Sequence, residues 1–211
     1  MGMVFRAMTP PAFTADATVP TWVAGCSIAG VADVLPMRLG SRASLGLLES
    51  AGLARAWRGV PAERASDVEV RRLHRVLREQ LGTSVARAVA RDAGERAADH
   101  LGARLVAPAM QRVLRGLPAS LAARLLLDRL RREAWTFAGD AQVEVLAGRP
   151  AVVTVRGNPF CKGVRSDEPS CDFVCALLER WFTLWVHPRA HAVEVACEST
   201  GASACRFEIR W

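Results

Sequence analysis

The stretch SCDFVCALLERWFTLWVHPRAHAVEVACESTGASACRFEIRW, Ser170–Trp211, decides the fold because its apolar period changes partway along. After Pro169-Ser170, the residues Val174, Leu177, Leu178, Trp181 and Trp185 recur at helical spacing and predict a helix that ends at His187-Pro188. Beyond it, His191–Cys197 and Ala204–Trp211 alternate in the manner of strands, on either side of the polar loop Glu198–Ser203.

The same change of period occurs upstream. Trp135–Leu146 carries alternating apolar residues such as Val143 and Val145, Gly148-Arg149-Pro150 reads as a turn, and AVVTVRG (151–157) is rich in β-branched residues. The pair predicts a hairpin, followed by a loop over Asn158–Ser170. Strand, strand, helix, strand, strand is the pattern of an antiparallel sheet with helical cover, hence an α+β fold.

Ahead of the sheet the chain reads as helical over 41–134. Ser66-Asp67-Val68-Glu69 is a capping box, and Leu73, Val76, Leu77 and Leu81 follow at helical spacing as far as Gly82. A second helix is predicted from Thr83/Ser84 towards Leu101, with Gly94 weakening its continuity. Pro108 opens a short helix to about Arg115, and Pro118 opens another to Ala134. Residues 1–40 are rich in Pro, Gly, Ala and Thr and read as an irregular lead-in with one short helix near Ile28–Leu35. The helical segment and the sheet of 135–211 together are expected to form one domain.

Composition narrows the functional classes. With 211 residues, 51% of them hydrophobic and including six Trp and seven Phe, the chain can bury a sizeable core. The net charge of +7 comes almost wholly from arginine, Lys162 being the only lysine. Such a surface suits a carboxylate-bearing ligand, an anionic membrane face or nucleic acid, although scattered arginines are most often simply solvated. No run of eighteen apolar residues exists and the N-terminus lacks a secretory pattern, so the expectation is a cytoplasmic protein without a transmembrane segment.

In that compartment clustered cysteines point to metal or catalysis before disulfides. Six occur, at 26, 161, 171, 175, 197 and 205. Glu194, Cys197 and Cys205 lie close together, either Cys171 or Cys175 can reach in from the preceding helix start, Cys171 having the added argument of a helix N-terminus whose dipole favours thiolate, and zinc accepts thiolates and carboxylate in a tetrahedron. In an unbroken strand 194 and 197 face opposite ways, so the strand has to bulge or end before Cys197. On spacing alone, metal ligation and burial as small hydrophobes stand level.

The C-terminal half resembles the vinyl-4-reductase domain, a small-molecule-binding module also found as the sensor of aromatic-responsive transcription activators and related to vesicle-trafficking subunits. HRVLREQLG (74–82), DAGERAADHL (92–101), LPASLAARLLL (117–127), AWTFAG (134–139) and GNPFC (157–161) are similar to bacteriochlorophyll 4-vinyl reductase proteins of purple bacteria. The resemblance covers about 65–211. It implies a structural zinc held by Cys171, Glu194, Cys197 and Cys205, a homodimer, and a place in the divinyl-protochlorophyllide step. The DNA-binding and ATPase domains of the activators are absent, and no nucleic-acid partner is expected.

A reductase needs a hydride donor, yet neither a G-x-G-x-x-G after a strand nor a Walker sequence is present. A zinc with four protein ligands has no open position for chemistry. The expectation is therefore a protein that binds a magnesium tetrapyrrole and carries or presents it to enzymes of the magnesium-tetrapyrrole branch, in the cytoplasm or peripherally at the photosynthetic membrane. The alternative is a reductase of the 8-vinyl group, alone or as a subunit. Candidate pocket residues are Trp135, Phe137, Phe160, Trp181 and Trp185 as walls, Arg156 at the rim and His100 as axial ligand. His74, beside the apolar stripe of its helix, is expected to be exposed.

Overall fold

The computed structural model describes residues 21–57 and 63–211. It opens with β1 (Trp22–Ala24), α1 (Cys26–Leu39) and α2 (Ser41–Ser50), followed by a short 3-10 turn at Ala54–Trp57 and by β2 (Arg64–Ser66). Next come α3 (Asp67–Leu105), α4 (Pro108–Gly116), α5 (Ala119–Arg132), α6 (Trp135–Ala138), β3 (Gln142–Leu146) and β4 (Ala151–Arg156). The chain closes with α7 (Asp172–Trp185), β5 (His191–Ala196) and β6 (Cys205–Arg210).

The α+β class is as expected. The four C-terminal strands form one antiparallel sheet in the order β3-β4-β6-β5. Alternation sends Ala151, Val153 and Val155 of β4 and Cys205, Phe207 and Ile209 of β6 to the inner, buried face. There α7 packs on the sheet, α3 packs on α7, and α1 covers α3.

The long helix α3 starts where the capping box predicts. Ser66 accepts from the Val68 backbone N–H, and Glu69 reaches back to the Ser66 N–H. It contains one break, at Gly82, whose φ of 73° no helix interior provides, so it is two helices joined end to end as the sequence suggests. Gly94 has a packing role. A Cβ built there would stand 2.3 Å from the Phe173 carbonyl oxygen, so hydrogen alone lets α3 and α7 cross at this point. Three ion pairs flank the crossing: Arg87–Asp172 at 3.2 Å, Arg91–Glu179 at 3.1 Å and Arg180–Asp99 at 2.8 Å.

Three expectations need correction. Of the predicted irregular lead-in, residues 1–20 lie outside the described residues; the expected short helix near 28–35 is present but extends over Cys26–Leu39, and Trp22–Ala24 is a strand. Ile28, Val31, Val34 and Leu35 form a buried helical face against α3, and β1 is held by antiparallel pairing with β2, a partner some forty positions away. Second, Trp135–Ala138 is a helical turn, and the strand starts only at Gln142. Third, His74 is buried, because Phe160 and Phe173 close over it edge-on at 5.1 and 5.8 Å. Among the described residues no helix is long and apolar enough to cross a membrane.

Candidate metal centre

Four segments of the chain meet at one end of the sheet, and each delivers a cysteine. Cys161 lies in the loop after β4, Cys171 is the N-cap of α7, Cys197 follows β5, and Cys205 opens β6. All four are buried, and their sulfurs lie within 4.8 Å of one another. The close pairs are Cys161–Cys205 at 3.4 Å, Cys171–Cys205 at 3.6 Å, Cys171–Cys197 at 3.7 Å and Cys197–Cys205 at 3.9 Å. Thiolates at ~2.3 Å from a tetrahedral zinc stand about 3.8 Å apart, whereas a disulfide needs about 2.05 Å. The cluster has the dimensions of a tetrahedral metal site.

The local backbone explains the arrangement. The ladder between β5 and β6 shifts register between Glu194 and Ala196, and β5 ends at Ala196. That irregularity lets 194 and 197 turn to the same side, as the sequence requires. Two hydrogen bonds to sulfur then support thiolate charge: the Asn158 side-chain amide donates to Cys171 Sγ at 3.3 Å, and the Glu198 N–H donates to Cys205 Sγ at 3.5 Å. Glu198 in turn accepts from the backbone N–H groups of Gly157 (2.6 Å) and Asn158 (3.0 Å), which holds the Cys161 loop in place. Burial pushes the Cys171 thiol well above its ordinary range, and hydrogen bonds from Cys161, Cys171 and Cys205 push Cys197 down. Binding of a cation by these thiols would release their protons.

Of the four ligands inferred from resemblance, Cys171, Cys197 and Cys205 come together here. The fourth corner of the sulfur cluster is Cys161. Glu194 lies alongside: one carboxylate oxygen accepts from the Cys171 N–H at 2.9 Å and so caps α7, while the other is buried without a partner. Burial, then the proximity of Cys197, pushes its carboxyl up to about 9. Cys161 is the residue the sequence reading missed. Its position in the flexible-looking loop just ahead of Cys171 was the available signal, since a loop cysteine can turn toward a neighbouring thiol. Cys175 stays apart and donates to the Ala192 carbonyl.

The expected pocket residues do not converge. Phe137, Phe160 and Trp181 have essentially no exposed surface and fill the core, and the Trp181 indole N–H donates to the Ala98 carbonyl at 2.9 Å. Trp185 is likewise buried against α3. Trp135 is half-buried beneath the Arg64 guanidinium. His100 is exposed, and Arg156 is an exposed residue beside Gln142. A tryptophan stripe at helical spacing here marks packing, which the pattern alone does not distinguish from a ligand wall.

Comparison with known proteins adds four findings. The V4R domain family matches residues 151–211. The bacteriochlorophyll synthase 23 kDa chain of Cereibacter sphaeroides is 36% identical over 176 residues, 83% of this chain and 84% of that protein. The protein of the same name from Rhodobacter capsulatus is 30% identical over 141 residues, 67% of this chain and 65% of that one. Among solved structures, the H-NOX protein from S. oneidensis in its Fe(II)NO ligation state shares the fold with a TM-score of 0.58. The identity there is 15%, covering 89% of this chain and 98% of that one.

Proposed function

We propose a function from the premise that this chain belongs to the family of the bacteriochlorophyll synthase 23 kDa chains. It acts in bacteriochlorophyll biosynthesis by binding a magnesium tetrapyrrole, divinyl protochlorophyllide or a precursor, and presenting it to enzymes of that branch. The observation that carries the reading is the 36% identity spread over 83% of the chain, helices and sheet alike. The S. oneidensis protein with the same fold is described in an Fe(II)NO ligation state, so the fold is compatible with holding a metal-centred ligand.

Within this reading the four cysteines hold a structural zinc. With four protein ligands that ion has no open position, so its contribution is to fasten the ends of β4, α7, β5 and β6 together. Binding without hydride transfer is favoured by the lack of a dinucleotide fingerprint anywhere in the sequence. The exposed Val193 and Val195 on the edge strand β5 suit a homodimer contact. Met110, Val113, Leu121 and Leu125 are exposed on α4 and α5 beside Arg112, Arg115 and Arg124, a combination suited to a peripheral position on an anionic membrane.

The deciding experiment is an absorption and fluorescence titration with magnesium divinyl protochlorophyllide, with and without a nicotinamide donor. A saturable spectral shift without conversion is expected. Appearance of the monovinyl product would make the chain a vinyl reductase, and absence of any shift would remove the carrier role.

A further inference from the structure

A cavity of about 320 Å³ lies between α3 and the 163–170 loop, its wall including Ser170 and Asp172 on either side of Cys171. Its volume is at the lower end of small-molecule sites, which run ~300–1,000 Å³. Two residues one turn apart on α3, His74 and Arg78, stand in its wall. His74 is 3% exposed and its Nε2 is buried with no hydrogen-bond partner in the protein; Arg78 Nη2 is buried in the same condition. Only a handful of described side-chain atoms share that state, and two of them line one cavity. Buried polar atoms without partners are costly, so such a pair is what a ligand's acceptor would relieve.

The charges around the cavity select the ligand. Its two acids are already engaged, Asp172 with Arg87 at 3.2 Å and Glu79 with Arg75 at 3.8 Å. Arg78 and Arg165 have no ion-pair partner among the described residues. Thr83 and Ser166 add hydroxyls, while Leu77, Ala86, Ala90 and Val164 make the remaining wall apolar. Two free guanidiniums, an unpaired imidazole and an apolar flank match an organic carboxylate better than an inorganic anion.

We propose that this cavity is a binding site for a carboxylate on an apolar body, received by Arg78 and His74 with Arg165 at the lip. Resting on the function proposed above, the carboxylate is the acidic edge of the tetrapyrrole, which places that ligand against α3 and the cysteine-bearing loop.

The test follows the imidazole of His74 by ¹⁵N NMR in the metal-loaded full chain. The probes are magnesium divinyl protochlorophyllide, its propionate methyl ester, and benzoate as a small carboxylate. The acid and benzoate are expected to move the His74 resonance saturably and the ester to leave it in place. Arg78→Met should weaken binding of the acid at least tenfold, with Arg78→Lys recovering part of it. Because Arg78 is half-buried near the cysteines, Arg165→Met on the exposed loop is the second variant, expected to weaken binding without changing metal content. Benzoate moving His74 with no tetrapyrrole binding would keep the carboxylate site and remove the carrier role. Tetrapyrrole binding that leaves His74 unmoved, or is equal for acid and ester, would overturn the site and leave the carrier role intact. No response to any probe would overturn both.

Discussion

The sulfurs of Cys171 and Cys205 stand 3.6 Å apart although 34 positions separate them, one capping a helix and the other opening a strand. This contact ties the two halves of the C-terminal unit through side chains that neither element needs for its own formation. The metal assignment therefore makes a sharp prediction about ligands. Cys161→Ser and Cys197→Ala should each lose bound zinc and melt the sheet at lower temperature, since structural zinc contributes on the order of 10 kcal/mol to folding. Glu194→Gln, which retains an oxygen to cap α7, should keep its zinc. Metal analysis with thermal unfolding decides; zinc retained in Cys161→Ser but lost in Glu194→Gln would make the carboxylate the fourth ligand.

Gly94→Ala tests the crossing of α3 and α7. The added methyl would meet the Phe173 carbonyl at 2.3 Å, a backbone atom that cannot swing aside. The helix-propensity gain of roughly 1 kcal/mol from Gly to Ala should be outweighed by overpacking, for a net loss of about 1–3 kcal/mol in urea unfolding. A stabilised variant would show that the helices separate easily there.

His74 gives the protein an acid-sensitive element. Burial first, and then the nearby Arg78, push its pKa down to about 3 from an ordinary 6.5, with Arg165 and Asp172 the charged groups across the cavity. Between those values the unfolded chain binds the extra proton, so stability rises with pH. The contribution is complete above about 6.5 and is lost progressively as pH falls towards 3. Wild type should therefore lose about 2 kcal/mol more than His74→Gln between pH 7.5 and pH 5. Comparing the two proteins separates this effect from acid release of metal; equal losses would mean the imidazole is protonated in the folded state.

The outward face of α4 and α5 predicts lipid selectivity. The protein should sediment with phosphatidylglycerol vesicles and not with phosphatidylcholine vesicles, less strongly at high salt. Val113→Glu with Leu121→Glu should abolish sedimentation while leaving the melting temperature unchanged, since both side chains are about half exposed. Unaltered vesicle binding would mean that another face makes the contact.

How far the sequence was legible depended on the range of the interaction behind each feature. The Ser66 cap, the break at Gly82 and the hairpin of β3 and β4 are set by neighbours within a few residues, and the sequence shows them directly. The irregularity in β5 was also readable, because two side chains three apart cannot share a face of a regular strand. The short helix near 28–35 was readable, but the strand Trp22–Ala24 and the full length of α1 were not, since they depend on β2 and on the buried face of α3. Nor was the burial of His74, whose two covering rings arrive from a loop and from α7.

By itself, then, the sequence determined the α+β class and the order of elements, because periodicity and caps are local properties, and three of the four clustered thiols came from its family resemblance. Only the tertiary structure decided that Cys161 completes the cluster, that Glu194 caps a helix beside it, and that Trp181 and Trp185 are core. Each of those outcomes depends on which distant segments the packing of α3, α7 and the sheet brings within a few ångströms, and that distance is absent from any local pattern.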